Sequence, residues 1–257
     1  LPRPAGNRTS FLSFLRDTAL LTGIHLRIVR WAGTFTVLVS FALPVAFLIL
    51  MRLMNPDASP DQVRLYISGN MVNAVVQATL TMMAQTVAGQ REARTFAYYV
   101  SLPIHKMSLI LSLLLAYLLQ SLPGLIGVLL VGNLVFGVWL MPHWSIIPIV
   151  LLLGASLSGL GALIGIRARN AMAANALGLS LAFMSMFVLP VYYPIEVLPA
   201  WLRPLAYAFP VTYGAHGIRM SFLGPQEAGL LVDLLALMGF SLATFLAVTY
   251  GLRWQDE

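Results

Sequence analysis

The chain has 257 residues, of which 59% are hydrophobic and only 9% charged. A soluble domain carries about 25% charged residues, so this composition marks an integral membrane protein. The absence of cysteine excludes disulfides, thiolate metal sites and a cysteine nucleophile. The net charge of +6 would suggest nucleic acid in a soluble protein. Here the positions of the charges matter more, and nucleic acid is not an expected partner. All the basic residues except Lys106 are arginine.

The N-terminus does not read as a secretory signal, because its first apolar cluster is broken at once by Arg16 and Asp17. The first residue is Leu rather than Met, so residues ahead of Leu1 are expected to have been removed. Residues 11–31 place Arg16, Arg27 and Arg30 on one side of a helical wheel. Phe11, Phe14, Leu21, Ile28 and Val29 fall opposite, interrupted by His25. This pattern predicts an interfacial helix on the inner leaflet, with arginines at lipid headgroups. An irregular basic leader is the other reading.

Six stretches approach the roughly 20 apolar residues that a bilayer requires: 32–51, 67–88, 107–131, 146–166, 171–190 and 229–251. Within them the only charged side chain is Asp233. Short turns at 55–62, 141–145 and 167–170 leave no room for a soluble domain, and no fixed-period repeat is present. With the N-terminus inside, Arg3, Arg8, Arg16, Arg27, Arg30, Arg91, Arg94, Lys106, Arg167, Arg169 and Arg253 fall on the cytoplasmic side. Arg52, Arg64, Arg203 and Arg219 fall outside. That bias predicts both termini in the cytoplasm.

The second stretch carries Asn70, Asn73, Gln77, Thr81 and Gln85 within about 120° of one another on a helical wheel. Amides are costly against lipid, so this face looks into protein or water. It lines a substrate path or bonds neighbouring helices, and the spacing does not choose. The fourth stretch has Gly154, Ser158, Gly161 and Gly165 at helical spacing, which favours close helix packing. Pro44, and Pro123 with Gly124, are expected kinks. Met172, Met184 and Met186 read as core filling, or as an adaptable apolar surface.

The loop over 89–105 reads GQREARTFAYYVSLPIHK from Gly89 to Lys106. Arg91, Glu92 and Arg94 precede Phe96, Tyr99 and Val100 at i, i+3, i+4 spacing, and Pro103 ends the run. A short amphipathic helix on the cytoplasmic surface fits, as does an ordinary basic loop.

Residues 190–219, PVYYPIEVLPAWLRPLAYAFPVTYGAHGIR, are apolar but carry Pro190, Pro194, Pro199, Pro204 and Pro210. Each proline removes a backbone donor, so a single spanning helix is excluded. Short helical pieces supported by protein or by the interface are expected instead, in a re-entrant outer hairpin. Tyr192, Tyr193, Trp201, Tyr207 and Tyr213 suit headgroup depth. Glu196 comes within reach of Arg203 if this hairpin is helical.

Several chemistries find no footing. There is no GxxxxGK[ST] loop, no HExxH, and no histidine inside a span. His25, His105, His143 and His216 are scattered, so no metal site is expected. Ser158-Gly159 is the nearest approach to an intramembrane serine hydrolase, but Ser156 precedes it where glycine would stand. A non-transporting membrane sensor is a further alternative.

Taken together, the fold class is all-α integral membrane: six transmembrane helices, an N-terminal interfacial helix and the re-entrant hairpin before the last span. These residues resemble the membrane subunits of ABC-2 type exporters, including the daunorubicin-resistance drug exporters, across essentially the whole chain. The outer motif is carried by Pro194, Glu196, Pro199, Trp201, Leu202, Pro210, Thr212, Tyr213 and Arg219, with Phe209 where the family often has Asn. The inner motif is carried by Arg91, Glu92, Thr95, Leu102 and Pro103, with Arg94 in place of a glycine.

The resemblance implies that 1–257 form one ABC-2 type transmembrane domain in a bacterial or archaeal cytoplasmic membrane. It implies that 89–105 hold a coupling helix docking on a separate ATP-binding cassette subunit. ATP and magnesium would sit in that subunit, with no cofactor on this chain, and a second permease half would complete a homo- or heterodimer. Coupling then falls to Arg91, Glu92, Arg94, Thr95, Phe96 and Tyr99, and path lining to Asn70, Asn73, Gln77 and Thr81. The outer gate would be Pro194, Glu196, Pro199, Trp201, Pro210 and Tyr213. The spans lack a charged or densely aromatic channel, which favours a hydrophobic or amphipathic cargo such as a drug or lipid. Polysaccharide export is the alternative within the class.

Overall fold

The computed structural model describes residues 11–93, 106–224 and 228–253, and among these every regular element is helical. Helix α1 (Phe11–Met54) runs 44 residues through Pro44. At 1.5 Å per residue this is about 66 Å, twice the hydrocarbon thickness of a bilayer. The helix does not break near residue 31, where an interfacial segment was expected to give way to a span. Its buried side at this end is Thr18, Leu21, Thr22 and His25, while Leu15, Leu20 and Ile24 are exposed. The threonine hydroxyls are satisfied within the helix, Thr18 donating to Phe14 O and Thr22 to Thr18 O. Burial on a helical neighbour therefore costs them no unpaired hydroxyl.

That neighbour is α4 (Lys106–Phe136). His25 Nδ1 lies 3.5 Å from Ser112 Oγ, and Leu48 borders Gly132. The two helices therefore run side by side in the same direction.

At the centre lies a nearly unbroken rod formed by α2 (Pro60–Val76), a π-helical turn (Gln77–Thr81) and α3 (Met82–Glu92). It begins at a capping box, with Gln62 N donating to Ser59 Oγ at 3.4 Å and Ser59 N to Gln62 Oε1 at 2.9 Å. Pro60 sits where a missing N–H costs nothing. Val63 and most residues from Ile67 to Thr81 are buried by surrounding helices. The rod can carry polar residues because so little of it is left for lipid.

Helices α5 (Ile146–Arg167) and α6 (Ala171–Phe187) pack on this rod. A Cβ added at Gly161 would stand 2.5 Å from Leu80 O, and one at Gly165 2.6 Å from Ala84 O. At Gly178 of α6 it would stand 3.1 Å from Thr81 Cα. At Gly161 and Gly165 the small-residue stripe of the fourth stretch thus lies against the backbone of the rod, whereas Gly154 meets the Leu118 and Thr79 side chains. Leu48, Ile67, Val75, Leu153, Ile218 and Leu237 close the main core.

Beyond α6 the chain breaks at its prolines into a 3-10 turn (Ile195–Val197), α7 (Arg203–Tyr207) and α8 (Pro210–Ser221), as their rigid rings require. Helix α9 (Ala228–Arg253) follows. Among the described residues three helices are long and apolar enough to cross a membrane: Leu111–Phe136, Ile146–Arg167 and Gly229–Tyr250. Pro44–Met54 and Ala171–Phe187 are shorter apolar helices.

Candidate functional site

The two ends of the bundle hold different chemistry. At one end the central rod finishes at Arg91 and Glu92, beside the turn between α5 and α6. Arg91 Nη1 donates to Gly165 O at 3.1 Å and Ala168 O at 3.3 Å, and also to Ile166 O. These carbonyls belong to the last turn of α5 and the residue beyond it, where helical partners run out. Glu92 Oε2 accepts from Ala171 N at 3.1 Å, beside the Asn170 side-chain cap on Ala173 N at 2.7 Å. A cation therefore closes the carbonyl end of α5 and an anion the amide end of α6, each matching its helix dipole. Arg94, Thr95, Phe96 and Tyr99, the rest of the expected coupling set, lie outside the described residues.

The polar stripe on the rod divides. Asn70 is fully buried; its Nδ2 donates to Tyr66 O at 2.9 Å, and its Oδ1 accepts from Tyr192 OH at 3.2 Å. It therefore fastens the segment after α6 to the rod. Asn73 Nδ2 and Thr81 Oγ1 are buried without a hydrogen-bond partner among the described residues. Gln77 is half-buried and Gln85 exposed.

At the opposite end the segment 190–207, α8 and α9 line an open cavity of about 460 Å³. Its polar lining is Glu196, Tyr207, Tyr213, His216, Arg219 and Asp233, with Thr212 at one side. His216 Nδ1 lies 2.6 Å from Asp233 Oδ2 and joins α8 to α9. Arg219 donates to Pro190 O at 3.4 Å and Val191 O at 3.2 Å. Burial pushes its guanidinium down from the ordinary range, and the Glu196 carboxylate opposes that shift. Burial raises the Tyr213 phenol, with Tyr207 and Asp233 adding to the effect.

Of the expected gate residues, Pro194, Glu196 and Tyr213 line this cavity. Pro210 is buried and begins α8. Pro199 is exposed, and Trp201, at 77% exposure, stands away from the cavity. Arg203 reaches Glu196 through its main-chain oxygen, at 2.8 Å, rather than through its carboxylate. His216 and Asp233 were absent from the expected set. The signal was available: Asp233 is the only charge inside an expected span, and a buried carboxylate needs a partner.

Ser158 is buried, its Oγ without a partner among the described residues, on an apolar cavity of about 310 Å³ between α4, α5 and α9. Among the described residues that lining contains no histidine, acid or lysine.

No curated protein matches the chain at a significant level. A family model for the ABC-2 type transporter matches residues 18–223. With that match over most of its length, the chain belongs to the ABC-2 type transporter membrane family.

Proposed function

We propose that this chain is the permease half of an ATP-driven exporter that crosses a bacterial or archaeal cytoplasmic membrane six times. Both termini lie in the cytoplasm, and residues 190–219 form a re-entrant hairpin on the outer side. The segment 11–31 meets the inner leaflet before α1 continues into the first span. A second permease half completes the pathway, and a separate ATP-binding cassette subunit supplies hydrolysis, with ATP and magnesium held there. The cargo is hydrophobic or amphipathic, a drug or a lipid.

The observation that carries this reading is the Arg91–Glu92 junction. These residues lead directly into the loop 94–105, which we assign to docking on the ATPase with Arg94, Thr95, Phe96 and Tyr99 at the contact. Any displacement of the loop is passed to α5 through Arg91 and to α6 through Glu92, so the helices tilt as rigid bodies. Asn73, Gln77 and Thr81 line the path, and Asn70 holds the gate hairpin to the same rod. The buried, unpaired amide of Asn73 and hydroxyl of Thr81 support this role, because such groups are costly unless another state or a cargo pairs them.

Co-expression with a candidate ATP-binding subunit, followed by purification through a tag on the permease, tests the reading. A stable complex whose ATP turnover in lipid responds to a hydrophobic cargo is the expected result. Failure of every cassette subunit to co-purify would remove it.

A further inference from the structure

We infer that the cavity under the proline-rich hairpin is a binding site for an amphipathic organic cation. Its volume of about 460 Å³ falls in the range that encloses drug-sized molecules. The charge inside it is unbalanced. The carboxylates of Glu196 and Asp233 outnumber the single guanidinium of Arg219, and the His216 imidazole is held on Asp233. That guanidinium donates to the main-chain oxygens of Pro190 and Val191, while its Nε is buried without a hydrogen-bond partner among the described residues. These contacts tie its Nη2 to the hairpin.

Asp233 is only 4% exposed, and just one of its oxygens is engaged, by His216 at 2.6 Å. The other oxygen accepts no hydrogen bond among the described residues and faces the cavity, where a ligand can reach it. Two tyrosine rings complete the site. Tyr207 and Tyr213 stand 6.1 Å apart between centroids, tilted by 47°, and Tyr213 is backed by Phe240 at 6.0 Å. Carboxylates beside aromatic faces attract a large, weakly hydrated cation by charge and by the ring quadrupole together. Pro190, Pro194, Ile195, Met220 and Val232 supply apolar surface for the rest of such a molecule. An anion would meet two carboxylates, and a neutral ligand would leave the free oxygen of Asp233 unanswered.

That the cation occupies this site on its way out rests on the exporter reading; that the cavity binds it does not. The full chain in nanodiscs of zwitterionic lipid, without any ATPase, would be titrated with tetraphenylphosphonium by equilibrium dialysis. An anionic probe, anilinonaphthalene sulfonate, and neutral triphenylphosphine oxide serve as comparisons. Saturable binding of the cation alone is expected. Asp233→Asn should weaken it about tenfold or more, Tyr213→Leu severalfold, and Tyr213→Phe little.

Asp233→Glu, which keeps the carboxylate, should recover most of the binding and so guards against a folding defect in Asp233→Asn. No saturable cation binding, equal binding by Asp233→Asn and Tyr213→Leu, or preference for the anion would overturn the site. Loss of binding with ATPase coupling intact removes the cation site alone. Binding without ATP-driven movement leaves the site and removes the exporter.

Discussion

Glu92 Oε2 and the amide of Ala171 meet at 3.1 Å although 79 residues of chain separate them. With Arg91 on the carbonyl end of α5, this contact makes the end of the central rod part of the α5–α6 turn. Two side chains adjacent in sequence thus seize two helix termini of opposite polarity.

Removing the anionic member should loosen one helix and leave the other. Glu92→Ala is expected to insert and fold, and to keep ATP turnover in the assembled transporter while transport falls about tenfold, roughly 1.4 kcal/mol of lost coupling. Glu92→Gln retains an acceptor oxygen and should fall between. Transport and hydrolysis measured in parallel on one preparation separate these cases, and normal transport by Glu92→Ala would discard the coupling role.

Arg91→Ala should be more severe, because one guanidinium serves three carbonyls in a half-buried site. Hydrogen exchange is the direct check: amides of residues 163–168 should lose protection while those of α9 do not. Arg91→Lys should restore it only in part, since one ammonium cannot match the fork of the guanidinium.

Gly165→Ala places a methyl 2.6 Å from Ala84 O and 2.7 Å from Val87 Cβ. Rigid backbone cannot give way cheaply, so a loss of about 1–3 kcal/mol is expected, read as a lower unfolding midpoint in mild detergent. Gly239→Ala, whose added Cβ meets nothing within 4 Å, should leave the midpoint unchanged and serves as the control.

Tyr192→Phe deletes the hydroxyl that donates to Asn70 at 3.2 Å and keeps the ring packed against Phe47 at 4.9 Å. The cost should be about 0.5–1.5 kcal/mol, localised to the hairpin as faster exchange over 188–200.

The depth of the hairpin has its own reporter. Trp201 is 77% exposed, so Trp201→Ala should change stability in detergent by no more than about 0.5 kcal/mol. In lipid, a variant retaining Trp201 as its sole tryptophan should be quenched best by bromines near the headgroup. Strongest quenching at the bilayer centre, or none, would contradict the re-entrant placement.

Sequence patterning carried the fold well where local physics decides it. The expected stretch 146–166 became Ile146–Arg167, and 107–131 lies within Lys106–Phe136. The prolines cut 190–219 into short pieces, with Pro204 and Pro210 in the first turns of α7 and α8. The glycines at 161 and 165 meet another backbone, as their spacing required. Partnership across the fold was not legible. Nothing in helical periodicity pairs His216 with Asp233, or sends Arg91 to the end of α5. His25 read as a flaw on an apolar face, yet it is buried beside Ser112, because its side of α1 packs on α4.

In the proposed mechanism, ATP hydrolysis in a partner subunit drives this permease through the Arg91–Glu92 junction. Its most direct test is cargo movement in proteoliposomes holding the complete transporter, with wild-type chain or Arg91→Ala/Glu92→Ala. ATP-dependent movement by the wild type, and hydrolysis without movement by the double variant, are the expected results. Equal movement by both, or no ATP-dependent movement by the wild type under conditions of active hydrolysis, would contradict it.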